Sequence, residues 1–294
     1  MTNKHLTFAI FGNSFQPRKS HSLLRVLAFL REYGAKAIFD RPFYDFLTEE
    51  QSVDLGEVGT FEGDDFDADY VVSMGGDGTF LKSAVRVGCK QIPLIGVNMG
   101  RLGFLADVLP GEVETALQAV FDGNYQIEEH TAIQITTEGG DFDGCHYALN
   151  DIAVLKRDVA SMIGIDTCID DSFLVTYQAD GLIVSTPTGS TAYSLSNGGP
   201  IIVPQTRTLC LTSVAPHSLN IRPIVISDSS RIRLEVESRS HNYLVAVDGR
   251  SYTMHEGSSV TISRAPFVSR IVKPNGRRYF SSLREKMMWG ADKR

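Results

Sequence analysis

The stretch "SMGGDGTF" (73–80) sets a carboxylate inside a run of glycines. Gly75, Gly76 and Gly78 leave backbone N–H groups open to an incoming anion, and Thr79 adds a hydroxyl. A strand before this turn and a helix after it would aim the positive end of a helix dipole at the same spot. Asp77 then puts a negative charge in the middle. Such a carboxylate can accept a proton from an attacking hydroxyl, hydrogen-bond a ribose or orient a metal. It can equally do no more than stabilise a tight Asp-Gly turn. Two familiar nucleotide signatures are excluded. G-x-G-x-x-G would need glycine where Leu81 stands, and G-x-x-x-x-G-K-[ST] occurs nowhere in the chain.

Two further segments carry chemistry. "LNDIAVLKR" (149–157) sets Asn150 and Asp151 where one β run ends and another begins. They read either as a bulge or as an amide facing adenine's polar edge beside a carboxylate for ribose hydroxyls. In "ADGLIVSTPTGSTAYSLSNGGPIIVP" (179–204), eight hydroxyl side chains fall between residues 185 and 196, interleaved with Pro187 and Gly189. The apolar flanks would bury this loop, and buried hydroxyls need partners, which a nucleotide could supply. No Ser-His-Asp or G-x-S-x-G pattern runs through the serines, so a hydrolase is not indicated.

The elements that must position these residues change rhythm along the chain. In the first 125 residues, apolar runs alternate with helical periodicities. Strands are expected at 6–12, 35–40, 69–74 and 92–98, and helices at 21–34, 79–88 and 111–123. That alternation predicts a parallel sheet with helices on its faces. From Tyr125 onward the runs are short, β-branched and spaced by turn residues, which predicts an antiparallel sandwich or stacked sheets. The expected organisation is an α/β, Rossmann-like domain over 1–125 and a β-rich domain over 126–275. A C-terminal segment, 276–294, could pack back on the first. Asp-Gly recurs at 77–78, 180–181 and 248–249, read as shared turn chemistry.

Composition narrows the partners. A net charge of −7 argues against a nucleic-acid surface, and no apolar run approaches the ~20 residues of a membrane span. Cys89, Cys145, Cys168 and Cys210 are widely separated, which argues against a zinc cage or disulfide framework and suits a reducing cytoplasm. The seven histidines are equally scattered. No metal site built from side chains is expected.

A resemblance sharpens these readings. "GGDGTFL" (75–81) resembles the signature shared by NAD kinases, phosphofructokinases and diacylglycerol or sphingosine kinases. The block beginning Asp180-Gly181 and running through "STPTGSTAY" to "GGP" resembles that of NAD kinases. So do "GVNMGRLGFLAD" (96–107), "LNDIAV", "PHSLNIRPIV" (216–225) and "VDGR" (247–250). The likeness covers roughly residues 70 to 280. It implies transfer of the γ-phosphoryl group of ATP to the 2′-hydroxyl of NAD's adenosine ribose, giving NADP. Asp77 would be the general base and Gly75, Gly76, Gly78 and Thr79 the phosphate-binding turn, with Gly78 letting the nucleotide approach. Asn150 and Asp151 would hold the adenosine part and Asp180 the nicotinamide side. Thr191, Ala192, Tyr193, Ser194, Leu195 and Ser196 would line the NAD site, with Tyr193 able to stack on a base. Arg250 would contact NAD, in relatives often across a subunit boundary, and Ser161 and Ala215 would be peripheral contacts. Gln178 stands at a position linked to NAD–NADH discrimination, where a long polar side chain suggests preference for the oxidised form. The resemblance further implies Mg²⁺ held by ATP oxygens and water, and a cytoplasmic homodimer or homotetramer. The competing readings are a lipid or small-alcohol kinase of the same architecture, and an inactive dinucleotide-binding regulator.

Overall fold

The computed structural model describes residues 5–13, 20–100, 103–140, 142–158, 161–275 and 279–289. Arg101 and Leu102 of the "GVNMGRLGFLAD" segment lie outside the described residues, as do 276–278 and 290–294 of the C-terminal segment. The chain divides into two compact units, Met1–Glu129 with Ser269–Arg294, and His130–Val268.

The first unit is an α/β layer structure. Its elements are β1 (Thr7–Gly12), α1 (Ser20–Glu32), β2 (Lys36–Asp40), α2 (Arg41–Asp45), β3 (Gly59–Phe61), β4 (Tyr70–Gly75), α3 (Asp77–Val87), β5 (Leu94–Asn98) and α4 (Val113–Phe121). The five strands pair in parallel in the order β3-β2-β1-β4-β5, with Ala9 opposite Ile38, Ile10 opposite Val72 and Val72 opposite Ile95. The near-continuous apolar sequences of the central strands β1, β4 and β5 follow from burial on both faces. In α1, Leu23, Val26, Leu27 and Leu30 recur at helical spacing and are all buried. Strand order runs outward from β1 in one direction through β2 and β3, then restarts beside β1 with β4. The carboxyl ends of β1 and β4 are therefore a topological switch point, where open α/β sheets bind ligands. "GGDGT" begins there.

Some of this was not legible beforehand. The expected helix at 79–88 begins two residues earlier, so Asp77 and Gly78 belong to the first turn of α3 rather than to a preceding loop. The sequence reading had no counterpart for α2, the wide helical turn Phe46–Glu50 after it, or β3. Each spans five residues or fewer, too short to show a period.

The second unit is β-rich. Strand β6 (Tyr125–Glu138) leads into β7 (Tyr147–Ala148), β8 (Asp151–Lys156), β9 (Ile163–Ile169), β10 (Ser172–Ala179) and β11 (Gly181–Ser185). A one-turn helix, α5 (Tyr193–Ser196), precedes β12 (Thr208–Val214), β13 (Ile224–Ser227), β14 (Ile232–Glu237), β15 (Asn242–Val247), β16 (Arg250–His255) and β17 (Ser259–Pro274). Six of these form an antiparallel sheet, β13-β12-β11-β8-β15-β16, and β10-β9-β14-β17 run antiparallel in another. Side chains of both meet in one core that includes Ile152, Val184, Leu211 and Val245 with Ile165, Ile232, Leu234 and Ile262. Not every run is short: "SVTISRAPFVSRIVKP" is one sixteen-residue strand, β17. Its end returns the chain to the first unit, where Ile271 lies parallel to Leu94 of β5 and α6 (Tyr279–Met287) follows. All four cysteines are free thiols, and no described helix is long and apolar enough to cross a membrane.

Gly96, in the middle of β5, shows how tightly the switch-point strands are packed. A Cβ there would lie 2.7 Å from Ala106 Cα, 2.9 Å from the Leu105 carbonyl oxygen and 2.9 Å from the Phe80 ring. Two of those obstacles are backbone. Gly96→Ala should therefore destabilise the protein by about 1–3 kcal/mol through overpacking. The urea-unfolding midpoint measures this; an unchanged midpoint would contradict the packing described.

Candidate functional site

The Asp77 carboxylate is held by backbone. Oδ2 accepts the N–H of Phe104 at 2.7 Å, and Oδ1 accepts those of Leu105 and Ala106, each at 3.0 Å. Three consecutive amides thus close on one side chain from a residue in the first turn of α3, where a negative charge also suits the helix dipole. Gly103 has no room for a Cβ against this carboxylate. The loop owes its course to fully buried Asn98, whose Nδ2 donates to the Ala106 carbonyl at 3.1 Å. The Asn98 N–H donates to Val108 O at 2.8 Å, and Val108 N–H to Gly96 O at 3.0 Å. Asn98 and Gly103 were missed as working residues; the signal was the "GVNMGRLGFLAD" motif itself. An ionised carboxylate offers about four lone-pair positions. Oδ1 uses two and Oδ2 one, so a single acceptor direction remains on Oδ2.

The glycines around Asp77 differ in kind. Gly75 is packed against the Thr79 side chain, whereas a Cβ on Gly76 or Gly78 would meet nothing within 4 Å. Gly76 caps α3 in extended backbone and Gly78 is exposed. That open backbone at a helix N-terminus can receive an anion. Thr79 is buried.

The second unit repeats the clamp. Asp248 and Gly249, at φ 45° and 78°, form the two-residue turn that joins β15 to β16, with Val247 opposite Arg250. The Asp248 carboxylate accepts the N–H groups of Leu149 at 2.9 Å, Asn150 at 2.8 Å and Asp151 at 3.2 Å. Burial raises its pKa, partly opposed by those three amides and by Arg250. Asp151 is buried beside it; burial first and the Asp248 charge second push its pKa up to about 7. Asn150 Oδ1 and Arg250 Nε are buried without a hydrogen-bond partner in the structure. Such orphaned polar atoms fit a site awaiting a polar ligand.

The hydroxyl-rich loop is placed next to this pair, because Gly189 packs on the Asn150 backbone with no space for a Cβ. The Thr186 hydroxyl donates to Leu149 O at 2.6 Å. Thr188 pairs with His130 Nδ1 at 2.8 Å, Ser190 donates to Pro187 O at 2.6 Å, and Ser194 meets the Thr212 hydroxyl at 2.9 Å. The buried hydroxyls are therefore satisfied by protein and pin the loop, so the argument that they await a nucleotide does not hold. Tyr193 and Ser196 are exposed, and Thr191, Ala192 and Leu195 are half-buried, so these remain free to touch a ligand.

The Asp-Gly pairs at 77–78, 180–181 and 248–249 do three different things, and of these 248–249 is the hairpin turn. Asp180 joins β10 to β11 and its Oδ1 lies 2.7 Å from Lys156 Nζ. Beside it, Asp180 N–H donates to Val214 O at 2.9 Å and His217 N–H to Gln178 O at 2.9 Å. Ala215, between those partners, holds a left-handed φ of 43° that costs a non-glycine residue energy. Gln178 and Ser161 line a cavity of about 480 Å³ with Met162, Glu237 and Arg239, and its walls include neither the 150–151 pair nor the 191–196 loop. Among the described residues no three His, Cys, Asp or Glu side chains gather to hold a metal.

The Asp151 shift makes stability pH-dependent. A raised carboxyl pKa gives stability that is fully present below the ordinary value near 4 and lost as pH rises through about 7. Asp151→Asn removes that loss. Its stability relative to the parent should rise between pH 5 and pH 8, on the order of 1–4 kcal/mol. Urea unfolding of both proteins at the two pH values tests this, and a pH-independent difference would contradict it.

Comparison with known proteins identifies the family. Residues 43–125 match the ATP-NAD kinase N-terminal domain and residues 149–273 the ATP-NAD kinase C-terminal domain. The chain is 52% identical over 289 residues to an NAD kinase of Bacteroides fragilis, covering 98% of this chain and 100% of that protein. It is 43% identical to one of Porphyromonas gingivalis over 283 residues, covering 96% and 98%. Among solved structures, yeast NADH kinase complexed with NADH superposes with a TM-score of 0.88 at 23% identity, covering 100% of this chain and 90% of that one. An NAD kinase from Archaeoglobus fulgidus in complex with ATP gives 0.74 at 24%, covering 96% and 99%. The clamped aspartate, orphaned asparagine and hydroxyl loop are thus carried by a sequence that matches both NAD kinase domains and near-full-length NAD kinases, and the chain belongs to the NAD kinase family.

Proposed function

We propose that this protein is an ATP-dependent NAD kinase, moving the γ-phosphoryl group of ATP to the 2′-hydroxyl of NAD's adenosine ribose to give NADP and ADP. The observation that carries the reading is Asp77, a carboxylate with one acceptor direction left, on open glycine backbone at the switch point. The 2′-oxygen attacks the γ-phosphorus, the bond to the bridging oxygen of ADP breaks, and Asp77 Oδ2 takes the hydroxyl proton. A carboxylate cannot deprotonate an alcohol in advance. In a loose phosphoryl-transfer transition state it need only accept the proton as the P–O bond forms. Gly75, Gly76, Gly78 and Thr79 supply the phosphate turn.

In the second unit, Asn150 and Asp151 hold the adenosine part, Asp151 donating its proton where it is neutral. Asp180 serves the nicotinamide side, with Lys156 fixing its orientation. Thr191, Ala192, Tyr193, Leu195 and Ser196 line the dinucleotide, Ser194 supports them through Thr212, and Arg250 adds a polar contact. Ser161, Gln178 and Ala215 are peripheral, Gln178 favouring the oxidised cofactor. Mg²⁺ is held by ATP oxygens and water, consistent with its reluctance to shed water for side chains. The enzyme works in the cytoplasm as a homodimer or homotetramer; exposed Phe173 and Leu174 on edge strand β10 support self-association.

Asp77→Asn should lower kcat for NADP formation by roughly 10²–10⁴-fold. An NADP-specific dehydrogenase reads the product, and a near-parental rate in folded protein would rule out the base role. The Asn amide would face the Phe104 N–H and cost about 1–3 kcal/mol of stability, so an unfolding curve belongs beside the assay. Removing divalent cations with a chelator should abolish turnover and Mg²⁺ should restore it. Activity persisting in excess chelator would contradict the proposed cation.

A further inference from the structure

Two lysines near the C-terminal end of the chain grip the loop that grips Asp77. Lys273, near the end of β17, places Nζ 2.7 Å from Asp107 Oδ2, and the two side chains are only 14% and 8% exposed. Asp107 directly follows Ala106, the third amide on the Asp77 carboxylate. Lys273 is itself well anchored: Ile271 is in register with Leu94 of β5, and Val272 belongs to the core of the same unit. At the other end of the loop, Lys286 of α6 sits 4.0 Å from the centroid of the Phe104 ring. The Phe104 N–H makes the shortest of the three bonds to Asp77.

A buried ion pair contributes little to net stability against a well-packed apolar alternative, and its best-attested use is to select one conformation. Here the conformation selected is demanding. Three successive N–H groups must converge on one carboxylate, so the loop's curvature has to be fixed at both ends. We propose that Lys273 is a positioning residue for the phosphoryl transfer, holding Asp107 so that the Phe104–Ala106 amides set the direction in which Asp77 presents Oδ2. Lys286 supports the same loop through Phe104. This role rests on Asp77 being the general base, and it assigns the chain's C-terminal return a part in the chemistry.

The test is steady-state NADP formation at saturating ATP and Mg²⁺, with thermal unfolding of each variant measured alongside. Lys273→Met should lower kcat by roughly 10–100-fold while the KM for NAD stays within about twofold, as expected when a reacting group is misplaced. Lys273→Arg, which keeps the charge, should recover most of the rate. In an Asp77→Asn background, Lys273→Met should cause no further loss, because the group it positions is gone. A parental kcat in folded Lys273→Met, or the same fold-loss in both backgrounds, would overturn the proposal. Should Lys273→Met not fold, the uncharged pair Asp107→Asn/Lys273→Gln removes the lone buried charge and should show the same kcat loss with KM intact; a parental rate there overturns it equally. A parental rate in Asp77→Asn alone removes the base role itself, and the positioning role with it.

Discussion

An aspartate that accepts three consecutive backbone N–H groups is the interaction on which both units depend. A loop cannot satisfy its amides through helix or sheet, and buried N–H groups left unpaired are costly. A carboxylate solves that for three residues at once, with charge-assisted bonds stronger than neutral ones. Asp77 does so for the loop after β5, and Asp248 for the junction between β7 and β8. Each converts an irregular segment into a fixed one without adding regular structure. A cost falls on the neighbour: Asp151's own burial, and second to it the Asp248 charge, make that carboxyl hold its proton far above the usual range.

The clamps explain which glycines are structural and which keep space open. Gly103 and Gly189 lie against Asp77 and the Asn150 backbone, and Gly199 lies against Ser194, so a methyl at any of them would displace a partner the site needs. Gly76 and Gly78 have no neighbour at all within reach of a Cβ. Nothing in packing demands glycine at those two positions, and the bare backbone there suits the proposed phosphate turn. The sequence "GGDGT" therefore combines one packed glycine with two that stay bare.

Much of this was legible beforehand. The strand–helix alternation to residue 125 and the turn-punctuated β runs after it gave the two architectures, because burial on both sides of a parallel sheet and on one side of a stacked sheet imprint different periods. Asp77, Asn150 and Asp151 stood out as candidates by residue type and setting, but each also allowed a purely structural reading, and only the family resemblance chose between them. The missing parts depend on contacts distant in sequence. The Asp-Gly pairs at 77–78, 180–181 and 248–249 look identical as letters, yet the first opens a helix, the second joins two strands and the third is a hairpin turn. Partners of the buried hydroxyls, such as Thr212 for Ser194, could not be paired from spacing. Lys273 reads as one more charged residue on a strand, because Asp107 lies 166 positions away.

Charge is one reason for the proposed chemistry to rest so heavily on backbone. The chain carries 28 Lys and Arg against 35 Asp and Glu, an awkward balance for a protein that handles phosphate. Many of its cations are already committed: Arg86 to Asp40 and Asp64, Arg25 to Glu114, Lys156 to Asp180, Lys273 to Asp107. Neutral N–H dipoles at a helix N-terminus attract an anion without raising the pKa of a nearby cation or drawing the carboxylate into an ion pair. That last point matters for Asp77. A lysine or arginine in direct contact would occupy the one acceptor direction the amides leave, which the proposed reaction needs for the ribose hydroxyl. Holding the carboxylate with three amides, with Lys273 paired to Asp107 and Lys286 over the Phe104 ring, fixes its direction while leaving that position open.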